Sequence, residues 1–492
     1  MRQLDPLSTL FLSLETQDTP GHFGALSILD PRGREGFGFE SLRGFLAERI
    51  RACPEFGWKI AEVPLGLDRP SWVEATDYTP EDHITRMAVP APGGARELAD
   101  FAGYLYSRPL DRRRPLWEIF VLEGLPGNRV ALLWKIHHCL MDGMSGAGLM
   151  PLLFDMEADP APRRRVVLTP EHRAGAPDPW WIQVPRGIRN TIERRVTMGR
   201  HLGALAKRAF TSLFDAESRA AVPRVSFNGS VGGRRSLAWS SVSLAEVKAI
   251  KEQLGVTVND VVLALTSASM RRYLENHDEL PDESLWAAMP VSVREEGDDR
   301  ISNQVRNVNV RLATNVEDAI ERVLAIHAST REAKRRGRAD EVDLLAVLGE
   351  SLAPAAISLV TRGCAAFPEQ VPLPANVCVS NVPFSPMPFY VGGARVERLI
   401  PISLLTPTQG LNVTVVSYCG EIHFGFTSDA DLVQAPWALA EGVPKALLDL
   451  QEALAREADA EPDLELLRAR QERKKGPMRL ARTGRAGGRI TG

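Results

Sequence analysis

Two adjacent histidines followed by a carboxylate form the most reactive combination of residue types in the sequence, HHCLMDG at 137–143. The apolar run VALLWKIHH at 130–138 leads into it and is typical of a strand. Successive side chains on a strand point to opposite faces, so the two imidazoles cannot enter the same cavity. We expect His138 to face a cavity, His137 to anchor the backbone, and Gly143 to permit a tight turn.

Four kinds of chemistry are open to this motif. A metal site would need further ligands, and no cluster of them accompanies the histidine pair. A hydrolase triad would need a nucleophile elbow, but the chain contains no G-x-S-x-G. A structural role would bury a titratable pair at a cost in free energy. We favour general-base catalysis, in which a neutral imidazole takes a proton from a hydroxyl as that hydroxyl attacks an activated acyl group.

The motif is similar to the HHxxxDG signature of the coenzyme-A-dependent acyltransferase superfamily, which includes chloramphenicol acetyltransferase, carnitine acyltransferases and peptide-synthetase condensation domains. Other stretches, in family order from about residue 4 to 435, resemble the bacterial bifunctional wax ester synthase/diacylglycerol acyltransferases. These stretches are LDPLS at 4–8, HFGAL at 22–26, RPLWE at 114–118, NDVVL at 259–263, PVSVR at 290–294, SNVP at 380–383 and GLNVT at 410–414.

The resemblance implies an α/β fold of the α+β type. Two chloramphenicol-acetyltransferase-like lobes would have mixed sheets flanked by helices, with the active site at the lobe interface and a tunnel leading to it. His138 would deprotonate a lipid alcohol, diacylglycerol or a long-chain fatty alcohol, which attacks the thioester of acyl-CoA directly and without an acyl-enzyme. His137 would support it, and Asp142 would hold the loop rather than touch substrate. Acyl-CoA is thus a co-substrate, and no bound cofactor or metal is implied.

The remaining site residues are assigned by their positions in the family motifs. Asn259 would donate to the developing oxyanion, whereas Asp260, three residues after Thr257, would cap its helix in a capping box. Residues assigned to substrate binding are Pro115, Leu116 and Trp117, which resemble a motif linked to the acyl tunnel, together with Asn381 and Asn412.

The chain departs from the family pattern at two places. Many relatives follow Ser-Asn-Val-Pro with Gly-Pro, where this chain has Phe384-Ser385-Pro386. Gly-x-Gly-Leu-Asn is common where this chain has Thr408-Gln409-Gly410. Both departures lie in a nearly charge-free window, so they bear on substrate shape and leave the acyl chain length open.

Composition and periodicity divide the 492 residues into five parts. Sheet and helix patterns alternate on both sides of a stretch rich in Pro and charge, which predicts two α/β lobes that share one site. The predicted parts are an N-terminal lobe with the motif (1–155), a linker (156–179), a basic amphipathic helical connection (180–234), a C-terminal lobe (235–460) and a basic, disordered tail (461–492).

The formal net charge of −3 hides an uneven distribution. The last 25 residues carry nine Lys/Arg against one Glu, so the rest of the chain is acidic, with a net −11. The segment 180–214 is also basic and contains Trp, Ile, Leu and Phe. Such a helix either lies in a bilayer interface or packs on the body with its basic face in water. Nucleic acid is not an expected partner, because the tail lacks aromatic residues for stacking and the body is acidic.

Two segments without charge, 370–394 and 399–420, contain prolines at a density that no membrane-spanning helix tolerates. We therefore expect them to be interior or to line an apolar cavity. The five cysteines include no C-x-x-C pair, and the N-terminus resembles no export signal, which favours a reducing cytosol. These features predict a cytoplasmic protein that associates peripherally with the inner membrane or with lipid inclusions, and they leave the oligomeric state open.

Two rival functions remain. A condensation-type acyltransferase would work on another acceptor such as a carrier protein, but the chain lacks a carrier domain. A catalytically idle protein would bind lipid or coat lipid droplets through the basic helix and tail. Residues 137–142 also match the H-x4-D pattern of glycerolipid phosphate acyltransferases, but that family is membrane-embedded and lacks the paired histidine. The intact HH and DG positions favour an active enzyme.

Overall fold

The computed structural model describes residues 2–143, 153–159, 179, 181–190, 222–292, 305–338, 352–371 and 373–460. Helices and strands alternate along both halves of the chain, which confirms the predicted α/β class. The helices are α1 (Pro6–Leu14), α2 (Phe39–Arg51), α3 (Ala95–Tyr106), α4 (181–190), α5 (Leu244–Leu254), α6 (Val258–Glu275), α7 (Ala319–Arg338), α8 (Pro354–Ala366) and α9 (Pro436–Ala460). The strands are β1 (Arg2–Gln3), β2 (His22–Asp30), β3 (Trp58–Ala61), β4 (Ser71–Glu74), β5 (Ile84–Ala88), β6 (Trp117–Glu123), β7 (Val130–His137), β8 (Arg235–Ser243), β9 (Trp286–Ser292), β10 (Val305–Arg311), β11 (Val377–Pro383), β12 (Tyr390–Val391), β13 (Ala394–Ile402), β14 (Leu411–Tyr418) and β15 (Glu421–Asp429).

Two six-stranded mixed sheets form the centres of the two lobes. The N-terminal sheet has the strand order β12-β13-β2-β7-β6-β5, and the C-terminal sheet has the order β10-β9-β11-β14-β15-β8. β5 runs parallel to β6, and β11 runs parallel to β9 and β14, while the other neighbours are antiparallel. A small third sheet, β1-β4-β3, lies beside the first. Helices cover these sheets, as the sequence predicts.

One segment crosses between the lobes and corrects the predicted division of the chain. β12 and β13 fall within the predicted C-terminal lobe, 235–460, yet they pair in the N-terminal sheet, with Ile402 opposite Gly24. β13 also packs against β15, where a Cβ on Gly425 would lie 1.9 Å from the carbonyl oxygen of Pro401. The apolar residues at the end of β13 are buried by both sheets, so the range 235–460 is not one continuous lobe.

An apolar core joins the lobes where α3 meets β8. It combines side chains of α3 and β7 with Leu237 and Trp239 of β8 and with the end of β13. Gly103 permits the close approach, because a Cβ there would lie 2.7 Å from the carbonyl oxygen of Arg235. The Arg235 backbone N–H donates to Ser107 Oγ at 2.9 Å. The lobes therefore share buried surface and backbone-level contacts.

Several local predictions are confirmed by the structure. Thr257 and Asp260 form the predicted capping box at the start of α6. The charge-free windows supply β11, β14 and the apolar end of β13, whose inward side chains are buried. Val382 and Met387 of the first window are exposed, so the prediction of interior segments is confirmed only in part. No helix in the described ranges is long and apolar enough to cross a bilayer.

Other predicted segments are seen only in part. The predicted helix 180–214 is described at 181–190, where it is helical, and most of the linker and the whole tail lie outside the described residues. The helix α8 begins at Pro354 and ends at Ala366. A proline at the first helical position is favourable because it has no N–H to leave unpaired.

Candidate active site

The histidine pair lies where β7 ends and a 3₁₀ turn, His138–Gly143, begins. The His137 backbone N–H donates to the carbonyl oxygen of Leu116 at 3.0 Å, and the His138 N–H donates to the carbonyl oxygen of Gly21 at 3.0 Å. Neighbouring strands on both sides thus fix the backbone of the two histidines. The two side chains diverge because one ends a strand and the other starts a turn.

The His138 ring lies between two phenylalanine rings. Phe11 of α1 stacks on it at a centroid distance of 4.8 Å and an interplanar angle of 19°. Phe23 of β2 approaches it at 4.7 Å and 49°. His138 is partly exposed, and none of the described residues forms a hydrogen bond with its ring. Most of the His138 side chain is nevertheless removed from water, and this desolvation first, and then His137, lowers the pKa of His138 from 6.5 to about 3. The imidazole is therefore neutral at pH 7 and keeps a lone pair for a proton.

His137 holds the turn. Its side chain is fully buried, and its Nδ1 accepts a hydrogen bond from the Cys139 backbone N–H at 3.1 Å. Nδ1 must be unprotonated to accept, so we assign the neutral tautomer with its proton on Nε2. That Nε2 lies 3.7 Å from Glu15 Oε1, beyond hydrogen-bond length but close enough for electrostatic attraction. The contact to Cys139 is the kind of backbone anchor that the sequence predicts for this residue.

Glu15 and Arg112 form an anchor behind His137 that the sequence analysis missed. Glu15 Oε2 accepts from Arg112 Nη2 at 2.6 Å and Nε at 2.9 Å, and Oε1 accepts from the Gly21 N–H at 3.0 Å. Burial raises the pKa of Glu15, but His137, Arg112 and the Gly21 N–H outweigh it and lower the pKa to about 2. Gly21 also leaves room for the ring, because a Cβ there would lie 2.6 Å from His137 Nε2. No local spacing signal connects these residues.

α1 explains why the LDPLS stretch accompanies the histidine motif. Asp5 caps this helix by accepting from the Leu7 and Ser8 backbone N–H groups, each at 2.9 Å. One turn on, Ser8 Oγ donates to the Cys139 carbonyl oxygen at 3.0 Å. Phe11, three residues later on the same helical face, stacks on His138. The cap therefore fixes a helix that contacts both the turn and the His138 ring.

Pro115, Leu116 and Trp117 support the strand that carries His137. Leu116 and Trp117 are fully buried in the N-terminal core. Trp117 Nε1 donates to the Phe56 carbonyl oxygen at 2.8 Å, and Trp117 pairs with Ile136 of β7. The structure gives these residues a positioning contact, and their role in an acyl tunnel stays a prediction.

The structure brings Asn259 and Asn381 together. Asn381 Nδ2 donates to Asn259 Oδ1 at 3.3 Å, and Asn259 Nδ2 lies 3.3 Å from Met289 Sδ. The adjacent Asp260 is buried and accepts from Thr330 Oγ1 at 2.6 Å while contacting His327 Nδ1 at 2.7 Å. These contacts fix the first turn of α6, which presents Asn259.

Asn412 lies on β14 in the C-terminal sheet, close to the crossing strand. It accepts a hydrogen bond from Thr414 Oγ1 at 2.8 Å and lies opposite Thr427 on β15. Thr427 Oγ1 accepts from the Ser403 N–H at 3.2 Å, directly after β13. The last residue of β13 pairs with Gly24, next to the phenylalanine that touches His138. The histidine therefore lies near the junction of the two sheets.

Two predicted residues lie at the edge of what the structure describes. Asp142 and Gly143 belong to the 3₁₀ turn, but the side chain of Asp142 lies outside the described residues, so its structural role stays a prediction.

Within the described part of the chain, no group of three or more His, Cys, Asp or Glu side chains could hold a metal ion.

The low pKa of His138 predicts an unusual pH profile. At pH 5 a histidine with an ordinary pKa near 6.5 keeps only about 3% of its imidazole neutral. His138, with a pKa of about 3, stays almost entirely neutral there. We expect kcat/KM to change by less than about twofold between pH 7 and pH 5 while circular dichroism shows the fold intact. An acidic limb centred near pH 6.5 would contradict this assignment.

Substitution of Glu15 tests the anchor. Glu15→Gln keeps the shape and an acceptor for the Gly21 N–H but removes the charge that faces His137 and Arg112. We expect kcat to fall about tenfold, ~1.4 kcal/mol in the barrier, with the KM for acyl donor nearly unchanged. The matched control is Glu62→Gln, because Glu62 contacts the same Arg112 from the outer side at 3.3 Å. Equal effects of the two substitutions would show that only the arginine pairing matters.

Comparisons with known proteins identify the family. Residues 4–262 match the family described as the wax ester synthase/diacylglycerol acyltransferase catalytic domain, and residues 301–451 match the WS/DGAT C-terminal domain. A protein of Mycobacterium tuberculosis named as a probable diacylglycerol O-acyltransferase is 33% identical over 461 residues, which cover 91% of this chain and 98% of the relative.

Solved structures show the same architecture. The wax ester synthase/diacylglycerol acyltransferase from Marinobacter aquaeolei VT8 superposes with a TM-score of 0.67 at 29% identity, covering 92% of this chain and all of that one. The starter condensation domain of rhizomide synthetase, solved in complex with C8-CoA, has a TM-score of 0.51 at 13% identity, covers 92% of this chain and 94% of its own, and bears on the fold alone. The predicted two-lobed acyltransferase fold is confirmed.

Proposed function

Because the chain belongs to the wax ester synthase/diacylglycerol acyltransferase family and is therefore an O-acyltransferase, we propose its substrates and mechanism. The donor is a long-chain acyl-CoA, and the acceptor is the free hydroxyl of diacylglycerol or of a long-chain fatty alcohol. The products are triacylglycerol or wax ester, plus CoA. The observation that carries the proposal is the position of the His138 ring, which contacts Phe11 and Phe23 where β7 ends in the HHxxxDG motif.

His138 acts as the general base in a single transfer. One imidazole nitrogen takes the hydroxyl proton as the oxygen bonds to the thioester carbon, and the carbon–sulfur bond then breaks. The imidazolium passes its proton to the departing CoA sulfur, so no acyl-enzyme forms. A group whose pKa is lowered to about 3 is a strong acid once protonated, which favours this second proton transfer. The flanking aromatic rings restrict the orientation of the imidazole.

The other motif residues position the reacting groups. His137 and the Glu15 anchor hold the turn, and Asp142 and Gly143 maintain its shape. Asn259 donates from Nδ2 to the oxyanion that develops on the thioester carbonyl, with Asn381 orienting its amide through the hydrogen bond at 3.3 Å. Asn412, Pro115, Leu116 and Trp117 belong to the walls or supports of the substrate channel.

The lipid substrates imply work at a lipid surface. We propose that the protein is cytoplasmic and associates peripherally with the inner membrane or with lipid inclusions. The basic segment that begins at α4 and the basic tail support this, because clustered Lys and Arg are attracted to anionic lipid.

Product analysis tests the proposal. Purified protein receives labelled palmitoyl-CoA with diacylglycerol, with hexadecanol, or with neither, and the products are separated by thin-layer chromatography. We expect triacylglycerol with the first acceptor, wax ester with the second, and CoA in amounts equal to the ester. Absence of ester with both acceptors would contradict the substrate proposal and favour an idle lipid-binding protein or a different acceptor.

A further inference from the structure

Two segments of the N-terminal half, the turn Pro64–Gly66 and α4, and the helix α8 carry large apolar side chains that are exposed. Leu359 of α8 is 73% exposed, Leu65 of the turn Pro64–Gly66 is 83% exposed, and Trp181 of α4 is 61% exposed. Ile182, Ile188 and Val360 are also exposed. We call these six residues the apolar face. Monomeric proteins rarely expose large contiguous apolar patches that have no interaction to serve.

The elements of the apolar face are neighbours in the fold. The turn lies between the two helices: a Cβ on Gly66 would lie 3.1 Å from Ala355 Cβ of α8, and a Cβ on Gly187 of α4 would lie 3.1 Å from Leu67 Cβ. Asn190 Nδ2, at the end of α4, donates to Asp68 Oδ2 at 2.7 Å. The exposed side chains therefore come from one region of the surface.

α4 is inverted relative to an ordinary surface helix. Its polar Gln183 is only 8% exposed, whereas Trp181, Ile182 and Ile188 point outward. A helix that packs on a soluble body normally buries its apolar stripe. The outward stripe of α8 is equally unusual, because Arg362 is its one charged residue. The other exposed residues of α8 are Ala355, Leu359, Val360, Gly363 and Ala366.

The turn holds its apolar tip in a strained conformation. Leu65 has φ +59° and ψ 13°, the left-handed region in which a bulky side chain is disfavoured. Glycine or asparagine would adopt this conformation with less strain, and neither would expose an apolar side chain to water. Strain of this kind persists mostly at functional sites, so it indicates that an outward leucine has a use.

The charged residues around the apolar face indicate what kind of partner binds it. The turn, α4 and α8 contain no Asp or Glu, and their charged residues are Arg186, Arg189 and Arg362, of which Arg189 and Arg362 are exposed. Outward Trp, Ile and Leu side chains beside arginines are the combination that binds an anionic bilayer interface. We propose that the apolar face docks this enzyme on the surface of an anionic lipid bilayer.

The apolar face lies close to the helix that contacts His138, so docking would bring the membrane near the proposed base. α8 packs on α1, and Ser358 Oγ donates to the Ser13 carbonyl oxygen at 3.0 Å. α1 in turn presents Phe11 to His138. A membrane docked on the outer face of α8 is therefore separated from His138 by two helices, α8 and α1. This role rests on the proposed lipid acceptor, which would leave the bilayer beside α1.

Vesicle binding tests the proposal with the full-length protein. The probe is flotation with vesicles of phosphatidylglycerol and phosphatidylcholine, compared with phosphatidylcholine alone. The variants are Leu359→Glu, which places a charge in the interface, and Leu65→Asn, which removes the apolar tip but suits the left-handed backbone and should not unfold the turn. The matched control is Leu448→Glu on α9, at a leucine that is 58% exposed and far along the chain in the C-terminal lobe.

We expect Leu359→Glu and Leu65→Asn each to weaken binding to the anionic vesicles about tenfold, while Leu448→Glu binds as the wild type does. Wild-type binding that is absent, or that is equal in all three variants, would overturn the proposal. So would a change from dimer to monomer in Leu359→Glu without a change in vesicle binding, which would assign the face to a second copy. Ester formation from detergent-dispersed substrates is measured in parallel, so a failure of the proposed reaction is distinguished from a failure of docking.

Discussion

His138→Ala is expected to lower kcat/KM for ester formation by about a thousandfold, within the range of 10²–10⁴ that general-base catalysis contributes. The proposed general base is the neutral imidazole of His138, and none of the described residues hydrogen-bonds to its ring to take over that task. The fold should survive, because the His138 side chain is partly exposed and its backbone contact to Gly21 does not depend on the ring. The measurement is CoA release with palmitoyl-CoA and diacylglycerol.

A remote histidine provides the control. His277 is exposed at the end of α6, where its Nδ1 contacts the Tyr273 carbonyl oxygen at 2.6 Å. We expect His277→Ala to retain wild-type activity within about twofold, as surface substitutions away from a site usually do. Thermal unfolding of both variants shows whether activity was lost with the fold. Retention of more than a tenth of the activity in a folded His138→Ala variant would contradict the general-base assignment.

Gly425→Ala is expected to cause the largest loss of stability among the glycine substitutions considered, about 3 kcal/mol or more. A Cβ at this position would lie 1.9 Å from the Pro401 carbonyl oxygen and 3.0 Å from its carbonyl carbon. Neither backbone can retreat easily. Pro401 pairs with Ala25 in the N-terminal sheet, and Gly425 lies between Thr414 and Trp239 in the C-terminal sheet. Separating them would disturb the junction that fixes one lobe on the other.

The expected observation is a lower thermal unfolding midpoint or loss of soluble protein. Gly44→Ala is the control, because Gly44 lies within α2 and a Cβ there meets nothing within 4 Å. That substitution should raise stability by roughly 0.5–1 kcal/mol, since glycine disfavours a helix interior. A Gly425→Ala protein as stable as the wild type would show that the crossing strand does not hold the lobes together.

The sequence was most informative where neighbouring residues decide the structure. The strand before the histidine pair, the capping box of Thr257 and Asp260, and the buried charge-free segments could all be predicted, because periodicity, helix capping and missing charge are local signals. The assignment of His138 from the family motifs stays a prediction. Each prediction depended on residues within about one helical turn or a few strand positions of each other.

The features that were missed depend on contacts between distant parts of the chain. The Glu15 anchor meets Arg112 across 97 positions, and nothing in the spacing of either residue indicates the other. The placement of β13 in the N-terminal sheet was also missed, because its apolar pattern fits either sheet equally well. The apolar face escaped notice for a different reason: the composition of α4 predicted an amphipathic helix but not which side faces outward.

We propose that His138 takes the proton of a lipid alcohol while the acyl group moves directly from CoA to the alcohol oxygen. The most direct test of this proposal is CoA release from palmitoyl-CoA measured with and without diacylglycerol, in the wild type and in His138→Gln. We predict release only when the alcohol is present, in equal amount to the ester formed, and a loss of about a thousandfold in the variant. Stoichiometric CoA release and protein acylation without acceptor, or ester formation undiminished in the variant, would contradict the account.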